Sequence, residues 1–195
     1  MSGHDDLVAE DTPGYNVGQK KTLEEYAQLD ANDESLKKWK ESLGISTGSL
    51  LPVAPGDNRK VVVLEMSLLV NGKAPIVVNL EQPGVAASLS SNPFKVPEKS
   101  LYSLRIKFKV QHEIITGIKY LQGIKKAGIR VDKLEEPLGS YAPNTTDKPF
   151  YEVTLPEMEA PSGFIARGTY QATSKFVDYD KTTHLTLDWA VSITK

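Results

Sequence analysis

From Tyr102 to Val110 the chain alternates without a break. Leu104, Ile106, Phe108 and Val110 fall on one face, Arg105, Lys107 and Lys109 on the other. A period of two marks a strand with one face toward a core and one toward water. The pattern recurs beyond Lys60. VVVLEMSLLV (61–70) is a strand candidate closed by the turn residues Asn71 and Gly72. IVVNL (76–80) follows, and ITGIKYLQGIKKAGIRV (115–131) reads as two strands around a turn. YEVTL (151–155), FIARGTYQA (164–172) and HLTLDWAVSIT (184–194) continue the series. Seven or more short strands separated by turns predict an all-β fold, an immunoglobulin-like antiparallel β-sandwich, over residues 60–195.

The upstream chain obeys other rules. Residues 1–20 hold almost no large apolar side chains and are expected to be disordered. Residues 21–44 predict a helix-loop-helix arm. Thr22 and Glu25 fit a capping box, and Leu23, Tyr26 and Leu29 supply a short apolar edge. Asn32 or Asp33 can cap a second helix carrying Leu36, Trp39 and Leu43, which Gly44 stops. Helices of about ten residues are unstable alone in water. Their apolar edges need a surface, either the chain's own domain or a partner. Residues 45–59, with Pro52, Pro55 and Gly56, read as a linker. The expected molecule is a sandwich with a flexible N-terminal helical arm.

Composition removes several function classes. The net charge is −2 and the cations are interleaved with acids, which speaks against nucleic acid as a partner. The chain has no cysteine, so disulfides, thiolate metal sites and a cysteine nucleophile are excluded. The polar, acidic first residues lack the features of a signal peptide, and no apolar run approaches the ~18 residues of a membrane span. A cytoplasmic location is expected, and the Asn144-Thr145-Thr146 sequon reads as chance. His4, His112 and His184 are not at metal-binding spacings. No phosphate-binding loop, nucleophile elbow or dinucleotide fingerprint occurs. The stretch DYDK (178–181) lacks the ligand spacing of a calcium loop, and Glu135 and Glu136 point to opposite sides of a strand. The expectation is a non-enzyme that needs no cofactor or metal.

Leu187 and Trp189 share a face of the last strand, and taken alone they read as ordinary core. Several separated blocks add a resemblance. QLDANDESLKKWKESLG (28–44), FKVQHEIITGIKYLQGIKKAGIRVDK (108–133), LGSYAP (138–143), EAPSGFIARGTY (159–170) and KFVDYDKTTHLTLDWAVSITK (175–195) resemble, in order, the Rho GDP-dissociation inhibitors. The resemblance implies a carrier that binds prenylated, GDP-bound Rho-family small GTPases. It implies slowed GDP release, extraction from membranes during a transient encounter, and a soluble one-to-one heterodimer. By the same resemblance, Thr22, Asp33, Leu36, Trp39 and Asp180 contact the GTPase switches. Leu68, Phe94, Ile114, Leu187 and Trp189 line a pocket for the geranylgeranyl lipid. Glu159 faces the GTPase's basic tail. Leu187 stands where the family commonly has a second tryptophan, and Met158 replaces one of two frequent acids. Thr22, Ser35 and Ser174 are candidate phosphorylation sites. The alternative is a prenyl-binding chaperone similar to the phosphodiesterase delta subunit, which carries lipidated cargo without gripping switches.

Overall fold

The computed structural model describes residues 7–10, 25, 34, 35, 38 and 49–195. Its elements, in chain order, are β1 (Val61–Val70), β2 (Ile76–Asn79), the short helix α1 (Val85–Ser88), β3 (Phe94–Pro97), β4 (Leu101–Val110) and β5 (Ile115–Lys126). There follow β6 (Ile129–Tyr141), β7 (Tyr151–Thr154), β8 (Met158–Glu159), β9 (Gly168–Val177) and β10 (Thr183–Thr194). They form two five-stranded sheets. The first runs β2-β1-β4-β7, with β8 also pairing β4. The second runs β3-β10-β9-β5-β6. This is the expected all-β sandwich, antiparallel except where β3 lies parallel to β10.

Alternation builds the core. Leu104, Ile106, Phe108 and Val110 of β4 are buried, while Arg105, Lys107 and Lys109 are half-buried on the outer face. Leu187, Trp189, Val191 and Ile193 of β10 meet them from the second sheet. The register stacks these residues in layers. Val70 pairs with Tyr102 and Leu68 with Leu104 in the first sheet. Val191 pairs with Tyr170 and Trp189 with Ala172 in the second.

One strand differs from the sequence reading. FIARGTYQA is not a strand from Phe164; β9 starts at Gly168 and extends to Val177. Gly163 and Gly168 have φ of 97° and 119°, backbone that breaks the ladder and makes 163–167 a turn. The apolar run there was the misleading signal. The short strands β3 and β8 were not anticipated either, because two to four residues carry too little period.

Residues 7–10, within the stretch expected to be disordered, lie across the outer face of the second sheet. Leu7 is buried, and its methyls sit where a Cβ on Gly123 would be only 3.2 Å away. Lys119 Nζ donates to the Glu10 carbonyl at 2.7 Å, and Lys175 Nζ to that of Leu7 at 3.2 Å. In the arm, Glu25, Glu34, Ser35 and Lys38 are helical and exposed. Among the described residues no helix is long and apolar enough to cross a membrane.

Candidate functional site

The two sheets do not close equally at both ends. At the end where β5 turns into β6, a cavity of about 310 Å³ opens between them. Tyr102 and Met158 line it from the first sheet; Ile124, Val131, Tyr170, Val191 and Ile193 line it from the second. Val131 of the long strand β6 shares the opening with Met158 of the two-residue strand β8 and stays 53% exposed. Asp132 and Glu159 sit at the rim. Burial pushes the Tyr102 phenol above its usual pKa, so it stays neutral in an apolar wall.

The residues expected to form the lipid pocket do not line this opening. Leu68, Phe94, Leu187 and Trp189 are buried in closed core, with the Phe94 and Trp189 rings edge to face at 5.9 Å. Ile114 is half-buried just before β5, at the other end of that strand. None of the five lines the open volume. Leu68, Phe94 and Trp189 are nonetheless next to it. Along β10, Trp189 is the inward neighbour of Val191, and Phe94 pairs with Val191 across the parallel ladder. They form the layer beneath the cavity floor. That layer contains polar groups the sequence did not reveal. Trp189 Nε1 donates to the Ser174 hydroxyl at 2.9 Å, Tyr120 Oη lies 2.6 Å from the same oxygen, and Tyr120 donates to Gln122 Oε1 at 2.7 Å. Ser174 is therefore buried and is not an accessible phosphorylation site in the folded domain.

Glu159 and Asp180 are at opposite ends of the sandwich. Glu159 pairs with Leu101 at the cavity end of β4. Asp180 is exposed in the turn between β9 and β10, beyond the pair Val177–Thr183. That turn is built on Asp178, whose carboxylate accepts from Thr182 N at 2.9 Å and lies 2.9 Å from His184 Nε2. The linker joins at the same end as Asp180: Leu50 bridges Thr145, and Leu51 N donates to Asn144 O. Asn144 is buried, accepting from Val110 N and donating to Lys148 O, so the sequon asparagine is a structural residue. Thr22, Asp33, Leu36 and Trp39 lie outside the described residues.

A second cavity, about 430 Å³, lies at this linker end between residues 50–53 and the first sheet. Lys109, Gln111 and His112 line it beside Leu51, Val53 and Phe150, so its wall is mixed. Of these two cavities, the one at the hairpin end is lined from both sheets. Among the described residues no group of acidic or histidine side chains could hold a metal ion.

Comparison with known proteins finds relatives along nearly the whole chain. A model of the family described as RHO protein GDP dissociation inhibitor matches residues 3–195. A Rho GDP-dissociation inhibitor of Saccharomyces cerevisiae is 60% identical over 182 residues, covering 93% of this chain and 90% of that protein. One of Schizosaccharomyces pombe is 42% identical over 98% of this chain and 91% of its own length. The human Rho GDP-dissociation inhibitor 1 is 36% identical over 95% of this chain and 88% of its own. The chain belongs to the Rho GDP-dissociation inhibitor family.

Proposed function

We infer that this protein binds Rho-family GTPases, slows their GDP release and carries their lipid tail between the two sheets. Its family is one of inhibitors and not of enzymes. The observation that carries the lipid reading is the cavity between the sheets at the hairpin end, walled by Ile124, Val131, Val191 and Ile193 with Asp132 and Glu159 at its rim. The physical problem is large. Each methylene leaving hydrocarbon costs ~0.8 kcal/mol, so a geranylgeranyl chain of about twenty carbons prefers bilayer to water by on the order of 10 kcal/mol. A dry site of comparable length offsets that. At 310 Å³ the cavity is near the lower limit of the ~300–1,000 Å³ that ligand sites occupy. It lengthens inward if Trp189, Phe94 and Leu68 move apart, which is the role proposed for those residues. Leu187, one pair further along β10, and Ile114 extend the same path.

The arm supplies selectivity. Thr22, Asp33, Leu36 and Trp39 are proposed to order on the GTPase switches, with Asp180 accepting hydrogen bonds beside them. The arm's linker and Asp180 share one end of the sandwich. Gripping the switches restricts the motions that release nucleotide. Protein and lipid contacts on one chain raise each other's effective concentration. Glu159, on the cavity rim, meets the basic tail as the lipid enters. The protein is then a cytoplasmic carrier forming a one-to-one complex.

The experiment is binding of a geranylgeranylated cysteine peptide in solution. Wild type is expected to bind. Val131→Asp, at a half-open lining position, should weaken binding by about tenfold with stability changed by less than about 0.5 kcal/mol. Unchanged binding in Val131→Asp would place the lipid elsewhere.

A further inference from the structure

Beside the cavity mouth, the turn 163–167 is fixed in place by its backbone. Gly163 N donates to Glu98 Oε2 at 2.9 Å, and Arg167 grips the same carboxylate through Nε at 3.1 Å and Nη2 at 2.8 Å. Ala166 N and Arg167 N donate back to Gly163 O. Lys126, the last residue of β5, donates its ammonium to the carbonyls of Ile165 and Arg167. Between these anchors stand Phe164 and Ile165, each 89% exposed. Across the Lys126 tie, the hairpin tip presents Ile129 at 71% exposure.

Holding such side chains in water forgoes the free energy of their burial, and adjacent exposed apolar groups mark a contact surface. The charges around them name the surface. Residues 125–133 and 163–167 carry the cations Lys125, Lys126, Arg130, Lys133 and Arg167 and the acid Asp132; Glu98 pairs with Arg167 and Glu10 lies 3.5 Å from Lys133, which still leaves a positive balance in a chain of net charge −2. Apolar side chains at an apex with cations behind them suit a leaflet bearing anionic headgroups: the tips enter the acyl boundary and the cations meet phosphate and carboxylate. Glu159 belongs to the facing rim, so the charge asymmetry also orients the mouth.

We propose that the tips at 126–131 and 163–167 form a bilayer-contact rim, which seats the cavity mouth on an anionic membrane surface. This rests on the lipid-carrier reading and adds to it. Hydrocarbon leaving the leaflet enters the cavity without crossing water. Phe164, Ile165 and Ile129 touch the membrane, while Val131 and Tyr170 touch the cargo.

The test uses the full chain without GTPase, floated with vesicles of phosphatidylcholine alone or mixed with phosphatidylserine. Wild type is expected to bind the mixed vesicles preferentially, and less at high salt. Phe164→Ser combined with Ile165→Ser should weaken that binding by about tenfold, and Ile129→Ser should weaken it independently. Binding of the geranylgeranylated peptide in vesicle-free buffer should stay within about twofold in all variants. Absence of an anionic preference, or equal vesicle binding by the variants, overturns the rim. A parallel loss of peptide binding also overturns it, and makes these side chains part of the lipid cavity. If wild type fails to bind the peptide, the carrier reading falls, while the vesicle comparison still decides the rim on its own.

Discussion

Ser174 carries more than its size suggests. Its hydroxyl accepts the Trp189 indole N–H and sits within hydrogen-bond distance of Tyr120 Oη, all three buried. In Ser174→Ala the indole N–H loses its partner, and urea unfolding should show a loss of about 1–3 kcal/mol. An unchanged midpoint would mean that the indole finds another acceptor. Trp189→Ala should cost about 3–5 kcal/mol, as for other large core truncations. An aspartate at Trp189 would therefore report on folding before it reported on lipid. Val131 and the cavity rim are better probes. The shared face of Leu187 and Trp189 was legible in the sequence, because strand period alone places them together. The polar group beneath the cavity was not. Tyr120 and Ser174 are 54 residues apart and meet only through the pairing of β5 with β9.

The turn 163–167 shows why elements are read less reliably than residues. Phe, Ile and Ala in succession look like strand, yet left-handed glycines on either side make the segment a turn. Its tie to Glu98 has a definite pH response. Hydrogen bonds from Arg167 and then from Gly163 N hold the Glu98 carboxyl at about 2, against an ordinary 4.5. A depressed carboxyl contributes fully above its unfolded value and loses that contribution as pH falls through the folded one. The turn should stay docked at pH 5 and loosen only as pH drops from about 4.5 toward 2. Hydrogen exchange at Gly163 checks this: it should be protected at pH 5, and faster by about tenfold in Glu98→Gln at the same pH. Equal exchange in the two proteins would contradict the tie. The N-terminal strap makes a separate prediction. Leu7 covers Gly123 of β5, whereas its neighbour Val8 is 64% exposed. Leu7→Ser should lower unfolding free energy by about 1.5–3 kcal/mol and Val8→Ser by less than about 0.5. Composition gave no sign of this contact, because one leucine among polar residues carries no period.

At the scale of the molecule, the linker and Asp180 occupy one end and the cavity mouth the other. β4 has ten residues between these ends, so they are roughly 33 Å apart. A GTPase gripped at the Asp180 end must reach the mouth with its tail. At ~3.3–3.6 Å per extended residue that takes about ten residues before the lipidated cysteine. Clients with tails cut well below this should lose the affinity that comes from joining the two contacts. Deleting residues 1–44 should leave a folded domain that binds the lipidated peptide and no longer slows nucleotide exchange. The sandwich itself was legible from alternation. Which end opens was not, because the opening is lined by residues of β4, β5, β6, β8, β9 and β10 that only the folded chain brings together, one of them from a strand of two residues. The measurement that bears most directly on the account is NMR of the full chain with the geranylgeranylated peptide, read as contacts between prenyl protons and side-chain methyls. Contacts to Ile124, Val131, Val191 and Ile193, continuing to Leu68 and Trp189, are the predicted result. Contacts confined to Leu51, Val53 and Leu64 at the linker end, or prenyl protons that touch no methyl between the sheets, would contradict it.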